Sequence, residues 1–166
     1  FYENYLGKED ATFTLNFSTG SAMVLAQYYL FVRMGDAGYR YVMETMQANA
    51  RSLAERIAGI GEFRLVGSEG DEQLPLVAFQ LEGDHPYDEF DVAGQLASER
   101  GWMVPAYTLP PKADHVTIMR ALVKLTLGHT MVETLADDIA GACQVLADKG
   151  GLHEHDRKRV KTGVGY

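Results

Sequence analysis

The sequence predicts an α+β fold in which a small antiparallel sheet carries helices packed mainly on one face. Three observations support this fold class. Strand-like segments with apolar and β-branched residues are interspersed with helical segments in irregular order, two of the strands are joined by a short polar link, and the helical segments carry apolar stripes. With 166 residues, of which 46% are hydrophobic and 23% charged, the chain can build one domain with its own core.

The N-terminal part predicts an extended arm that leads into a helix. Residues 11–17 alternate between apolar and polar side chains, which is typical of a half-exposed strand. Residues 18–21 are the Ser, Thr and Gly types that favour a helix start, and Gly35 can end this first helix. We therefore assign residues 1–17 to a connecting arm and residues 18–150 to the α+β domain.

The second helix has the clearest pattern in the chain. Asp36 can cap its start, and Gly59 and Gly61 can close it. Its apolar side chains recur at i, i+3, i+4 and i+7, which predicts one stripe facing the core. The stripe consists of Tyr39, Val42, Met43, Met46, Ala50, Leu53, Ala54 and Ile57.

The strands of the sheet follow this helix. Residues 63–66 and 76–81 predict two strands, and the polar link at residues 67–73 suits a hairpin. Residues 102–106 predict a short extended segment, and residues 114–123 predict a third long strand that is buried. These strands are therefore expected to form one small antiparallel sheet.

Two more helices complete the domain. Asp88 can cap a helix that ends at Gly101, with Phe90, Ala93, Leu96 and Ala97 facing inward. Thr130 and Glu133 match a capping box for the last helix. Residues 151–166 turn polar and basic, so we expect them to form a mobile tail.

Charge and composition exclude several functions. A formal net charge of -8 argues against binding to nucleic acid, which depends on basic surfaces. No apolar run approaches the ~20 residues that span a bilayer. The single cysteine, Cys143, cannot form an internal disulfide, which indicates a reducing compartment and hence a cytoplasmic protein. Within a helical segment, Cys143 is expected to be a packing residue.

Arg120 is the residue that most needs an explanation. It stands in the third long strand between apolar residues, and an arginine keeps its charge in a protein. A guanidinium removed from water needs an anion. That anion can be one of the 23 acidic residues of the chain, in a structural ion pair, or a phosphate or small carboxylic acid held by two hydrogen bonds.

The junction at residues 16–21 is a second candidate site. Free amides and the positive end of the helix dipole make any helix start a place where an anion can bind, and Ser18 and Ser21 add hydroxyl groups. The residues alone leave two interpretations open: an ordinary helix cap or a seat for a phosphate. Residues 153–155, His-Glu-His, lack a closed ligand set, so we predict no metal site.

Several separate motifs resemble one family of enzymes. They are Asn-Phe-Ser-Thr-Gly-Ser at residues 16–21, Ala-Gln-Tyr-Tyr at 26–29, Arg-Met-Gly at 33–35, Gly-Tyr at 38–39, Gly-Trp-x-Val-Pro-Ala-Tyr-Thr-Leu at 101–109 and Met-Arg at 119–120. In this order and spacing they look like glutamate decarboxylase, a group II decarboxylase that depends on pyridoxal phosphate. The resemblance runs from about residue 5 to about residue 150.

The resemblance implies a fold and roles for both candidate sites. The family has the aspartate aminotransferase type of fold, and the chain resembles its C-terminal small domain with the segment that enters it. The serine that Ser18 matches contacts the cofactor phosphate in the active site of a neighbouring subunit, which implies at least a dimer. The arginine that Arg120 matches binds the α-carboxylate of L-glutamate.

Other parts of the family pattern are missing. The family lysine that binds the cofactor follows a histidine, and no lysine of this chain does so, which implies that no catalytic lysine is present. The chain also starts without methionine, so we expect a piece of a longer polypeptide that is inactive and carries no cofactor alone. The basic tail has no tryptophan or amphipathic helix, which argues against calmodulin as a partner.

Two alternatives stay open at this point. The chain can be a freestanding α+β module that binds a small carboxylate through Arg120 or serves oligomerisation. It can also belong to a related amino-acid decarboxylase, because side-chain specificity is expected to lie mostly outside this segment.

Overall fold

The computed structural model describes residues 2–3, 10–11, 20–67 and 74–151. Their order of helices and strands is that of an α+β domain, as the sequence predicts, with a four-stranded main sheet and three helices in place of the four expected, because the first two predicted helices form one kinked helix. In chain order the elements are β1 (Tyr2–Glu3), β2 (Asp10–Ala11), α1 (Ala22–Ile60), β3 (Phe63–Leu65), β4 (Leu76–Leu81), α2 (Glu89–Arg100), β5 (Ala106–Thr108), β6 (Thr117–Leu122) and α3 (His129–Lys149).

The main sheet has the strand order β3-β4-β6-β5, and every neighbouring pair is antiparallel. β3 and β4 form the predicted hairpin, and β6 is the predicted third long strand. β1 and β2 pair separately as a two-stranded antiparallel sheet. The predicted arm at residues 12–17 lies outside the described residues.

One face of the main sheet forms the core together with the helices. Val77 pairs with Ala121 and Phe79 pairs with Met119, and all four side chains are buried in the same cluster. The helices add their own buried residues to it: Ala50, Leu53 and Ile57 from α1, Val92 and Leu96 from α2, and Val132, Leu135, Ala136, Ile139, Ala142, Cys143 and Leu146 from α3. The prediction of helices on one face of the sheet is confirmed.

Helix α1 is kinked at Gly35, where the sequence predicts a break between two helices. The backbone of Gly35 leaves the helical region, with φ 57° and ψ -170°. This combination is accessible essentially to glycine alone. Gly61 closes α1 in the left-handed conformation, as predicted.

Helix α2 starts with a full capping box. The Asp88 side chain accepts a hydrogen bond from the backbone N–H of Asp91, and the Asp91 side chain accepts one from the backbone N–H of Asp88. The cap at Asp88 and the end at Gly101 were predicted. The predicted inward face is only partly right, because Val92 and Leu96 are the apolar residues that the structure buries most fully.

The capping box predicted at Thr130 is wrong. Helix α3 begins at His129 with Gly128 at the cap position, so Thr130 already lies inside the first turn. Its backbone carbonyl accepts a hydrogen bond from the Thr134 hydroxyl, and the Glu133 carboxylate pairs with Arg56 of α1 instead.

Within residues 20–67 and 74–151, no helix combines the length and the apolar character that crossing a bilayer requires.

Candidate functional site

Arg120 lies on the face of the sheet that points away from the helices. Because side chains alternate along a strand, Met119 and Ala121 face the core and Arg120 faces the other side. Arg120 is half-buried, so the expectation of a strand buried on both faces is corrected. The charge therefore lies on a partly covered surface outside the core.

The Tyr107 ring covers Arg120 from the neighbouring strand. The Cζ atom of Arg120 lies 5.4 Å from the centroid of the Tyr107 ring, a cation–π distance. In the register of β5 and β6, Tyr107 is opposite Ile118, so Tyr107 and Arg120 are diagonal neighbours on one face. The backbone N–H of Arg120 donates to the Pro105 carbonyl at 3.1 Å, which fixes the strand beneath the pair.

The cross-strand partner of Arg120 on β4 is a small residue. Ala78 stands directly opposite Arg120, and a methyl group is the whole of its side chain. Ile118, on the same face as Arg120, is buried and lies outside the main core cluster. These apolar neighbours lower the local polarity, which strengthens any ion pair formed there. A guanidinium in such a setting can hold a carboxylate by two parallel hydrogen bonds.

Strand β5 is held in place by a contact from α3. The Trp102 indole N–H donates to Oδ2 of Asp138 at 2.7 Å, and Nε of Arg100 lies 3.3 Å from Oδ1 of the same carboxylate. The Asp138 side chain is only 13% exposed, so it is shielded from water while it accepts both groups. Asp138 thereby fixes the segment that leads to Pro105 and Tyr107.

Ser18, the second predicted site residue, lies outside the described residues. The helix that was expected to start near it begins at Ala22, with Ser21 at the cap position and without a side-chain cap hydrogen bond. The helix start is thus confirmed, while the phosphate contact of Ser18 stays a prediction.

The lysines of the described residues do not suit covalent attachment of pyridoxal phosphate. A lysine that binds this cofactor covalently has to be desolvated to be reactive. Lys112, Lys124 and Lys149, the lysines of the described part, are all exposed, and none follows a histidine. These residues do not make a cofactor site on their own, and within residues 20–67 and 74–151 no cluster of His, Cys, Asp and Glu suits a metal ion.

Two buried groups were not anticipated from the sequence. The Tyr87 hydroxyl donates to Oε2 of Glu62 at 2.5 Å, beside the buried Cys143 thiol. Glu89 accepts a hydrogen bond from the Leu81 N–H at 3.1 Å, and burial raises the pKa of its carboxyl group. Sequence patterns give no signal for either contact, because the partners come from different elements. In the sequence, Tyr107 is noticeable only as part of the motif at residues 101–109. Its position next to Arg120 becomes evident once β5 is paired with β6.

Comparison with known protein families gives a match over the first half of the chain. Residues 1–82 match the model of the pyridoxal-dependent decarboxylase conserved domain. Curated relatives extend the similarity: glutamate decarboxylase of Petunia hybrida is 44% identical over 139 residues, which is 84% of this chain. The chain is a relative of the pyridoxal-dependent decarboxylases.

Two further proteins extend this family relationship. Glutamate decarboxylase 1 of Arabidopsis thaliana is 44% identical over 139 residues, and glutamate decarboxylase of Aliivibrio fischeri is 34% identical over 158 residues. The chain spans only 27% of the length of the first of these and 34% of the second. This pyridoxal-dependent decarboxylase relative therefore corresponds to about a quarter to a third of the proteins it matches.

Solved structures agree with the fold. A glutamate decarboxylase of Lactobacillus brevis superposes with a TM-score of 0.73 at 32% identity, over 92% of this chain and 34% of that chain. The sphingosine-1-phosphate lyase of Burkholderia pseudomallei superposes with a TM-score of 0.59 over 95% of this chain and 32% of that chain. At 16% identity, the second match supports a similarity of fold only.

Proposed function

We propose that the chain is the C-terminal part of a glutamate decarboxylase, which removes the α-carboxylate of L-glutamate to give 4-aminobutanoate and carbon dioxide. The relatives named above support this proposal by their names and by their identity over most of the chain. Because the chain spans about a quarter of those plant relatives, the remaining groups of the active site have to come from outside it. The chain by itself is expected to be inactive.

One observation carries the proposal at the level of chemistry. The Arg120 guanidinium is half-buried on the sheet face away from the helices, with an aromatic ring over it and the small Ala78 opposite it on β4. This arrangement suits the capture of a carboxylate at the edge of the guanidinium. In the proposed role, Arg120 binds the α-carboxylate of the substrate and fixes the direction of the bond that breaks.

Pyridoxal phosphate would be held mostly by residues beyond those described. When bound, this cofactor supplies an electron sink for the electron pair that the departing carboxylate leaves behind. We assign to this chain one contact with it, from Ser18 to the phosphate across a subunit interface. That role implies a homo-oligomer of at least two subunits.

The domain division and the location belong to the same proposal. Residues 1–17 connect to the missing large domain, residues 18–150 form the small domain and residues 151–166 form a polar tail. A cytoplasmic location is supported by the single cysteine, since Cys143 has no partner for an internal disulfide.

Replacement of Arg120 tests the proposed function. In the full-length enzyme, Arg120→Ala should lower kcat/KM for L-glutamate by about a hundredfold or more, because loss of one partner of a desolvated ion pair costs about 2–5 kcal/mol. Initial rates of L-glutamate turnover over a range of substrate concentrations, at fixed enzyme concentration, give kcat/KM. Near-normal turnover would remove Arg120 from the active site.

Arg64→Ala is the matched control for this variant. Arg64 is an exposed arginine on β3 that donates to Oε1 of Gln80 at 2.8 Å, so its removal deletes the same charge elsewhere on the sheet. It should leave kcat/KM within about twofold. An equal loss in both variants would indicate a general effect of charge and not a site.

The Ser18 contact needs a different readout. Ser18→Ala in the full-length enzyme should weaken the affinity for pyridoxal phosphate, measured by titration of the apoenzyme with the cofactor. An unchanged affinity would contradict the phosphate contact and leave the role of Arg120 standing.

A further inference from the structure

The Arg120 guanidinium can take part in two kinds of interaction: a cation–π contact with Tyr107, and hydrogen bonds to an anion. The Tyr107 ring lies over Arg120, with 5.4 Å between Cζ and the ring centroid. The attraction of a cation to an aromatic ring uses the face of that ring. The five N–H donors of an arginine point outward in the plane of the guanidinium. A cation–π contact with the ring does not by itself use the N–H donors, which are the groups that bind a carboxylate.

The strand register makes this pair a fixed feature of the sheet. Tyr107 pairs with Ile118 and Ala106 pairs with Met119, while the N–H of Arg120 donates to Pro105. Both side chains are half-buried, so neither is free to leave the sheet face without exposing apolar surface. The contact thus restricts the rotamers of a long side chain that otherwise has high conformational entropy.

A pre-ordered arginine binds an anion better than a mobile one. Conformational entropy that the side chain has already lost on folding is not lost again when the ligand binds. The ring also excludes water from one side of the guanidinium, which raises the strength of an ion pair at its edge.

We propose that Tyr107 is a positioning residue that holds Arg120 in the orientation needed to bind the substrate carboxylate. This inference rests on the proposed function, because it assumes that Arg120 meets a carboxylate. The ring, and not the hydroxyl group, carries the effect. Tyr107 acts through Arg120 and makes no contact with the reacting bond.

The test compares two substitutions of Tyr107 in the full-length enzyme. Tyr107→Leu removes the aromatic face and keeps an apolar side chain, and it should raise KM for L-glutamate about tenfold, in line with cation–π contributions at partly desolvated sites. Its kcat should fall as well, because a less ordered Arg120 fixes the direction of the bond that breaks less well. Tyr107→Phe keeps the ring and should restore KM to within about twofold of the wild type.

Three further variants make the outcomes distinguishable. Thr108→Ala, at the exposed neighbouring position of β5, controls for general damage to the strand and should leave KM unchanged. In an Arg120→Lys background, Tyr107→Leu should have less effect than in the wild type, because coupled residues are not additive. If Tyr107→Leu loses the native circular dichroism spectrum, Tyr107→Met replaces it with the same expectation.

Failure of the inference differs from failure of the proposed function. If Arg120→Ala abolishes turnover while Tyr107→Leu leaves KM unchanged, Tyr107 has no positioning role and the function stands. A Tyr107→Phe variant as impaired as Tyr107→Leu would assign the effect to the hydroxyl and would also overturn the inference. If Arg120→Ala is active, the proposed function itself fails.

Discussion

At the scale of single residues, burial decides which acid–base groups of this chain are inert. The Tyr87 hydroxyl donates to the Glu62 carboxylate, and both lie next to the Cys143 thiol. Burial raises the pKa of the Tyr87 hydroxyl. Burial, reinforced by the charge of Glu62, raises the pKa of Cys143 to about 12. The thiol is therefore a packing group, as its sequence context suggests, and not a nucleophile.

The reactivity of Cys143 follows from this pKa. At pH 8 the native thiol should be alkylated by iodoacetamide about a thousandfold more slowly than the thiol of the urea-unfolded chain, because the thiolate fraction falls tenfold per unit of pKa. Mass spectrometry of the peptide that contains Cys143 follows the reaction. Labelling of the native protein at the unfolded rate would show that the thiol is accessible and ionised.

At the scale of elements, the sequence predicted correctly the features that depend only on residues close together in the chain. The break at Gly35, the cap at Asp88 and the β3–β4 hairpin depend on neighbours in the chain, and each was predicted. The start of α3 was misplaced because Thr130 and Glu133 fit a local motif, whereas Glu133 is engaged by Arg56 of another helix. Local patterns cannot reveal such competition between partners.

The clearest contact between elements is made by Asp138. Asp138→Ala should lower the free energy of unfolding by about 2 kcal/mol, because it leaves the Trp102 indole N–H without its charged acceptor. Most of this loss is assigned to Trp102, since Arg100 is 64% exposed and its ion pair is screened by water. Urea unfolding of the full-length protein, followed by circular dichroism, measures the difference.

The adjacent residue provides the control for Asp138. Asp137 is exposed, so Asp137→Ala should change the free energy of unfolding by less than about 0.5 kcal/mol. Equal unfolding midpoints for the two variants would contradict the role of Asp138 as the anchor of the segment before β5.

At the scale of the whole molecule, the first half of α1 contributes no buried residue to the core of the domain. Its large apolar side chains face outward although the second half of the same helix enters the core. Soluble proteins rarely expose a contiguous apolar surface of this kind unless another surface covers it. The exposed residues include Met23, Val24, Leu25, Tyr28, Tyr29, Leu30, Phe31 and Val32.

This surface predicts the behaviour of the chain in isolation. We expect the purified 166-residue chain to self-associate, since burial of apolar area stabilises contacts at about 25 cal/mol per Å². A chain with Leu25→Gln and Val32→Gln, which are 64% and 67% exposed, should associate more weakly in sedimentation velocity. Gln27→Ala, at another exposed position of the same helix, is the control. A strictly monomeric wild-type chain at high concentration would contradict the prediction.

The sequence by itself determined the fold class, the helix break at Gly35 and the choice of Arg120 as the residue to explain. These features follow from side-chain periodicity, from backbone preferences and from the chemistry of a charge among apolar residues. Only the tertiary structure decided that Arg120 lies on the face of the sheet away from the helices, half-buried and beside the Tyr107 ring. The reason is physical: alternation fixes that neighbours in a strand point to opposite sides, but strand pairing and helix packing decide which side is covered.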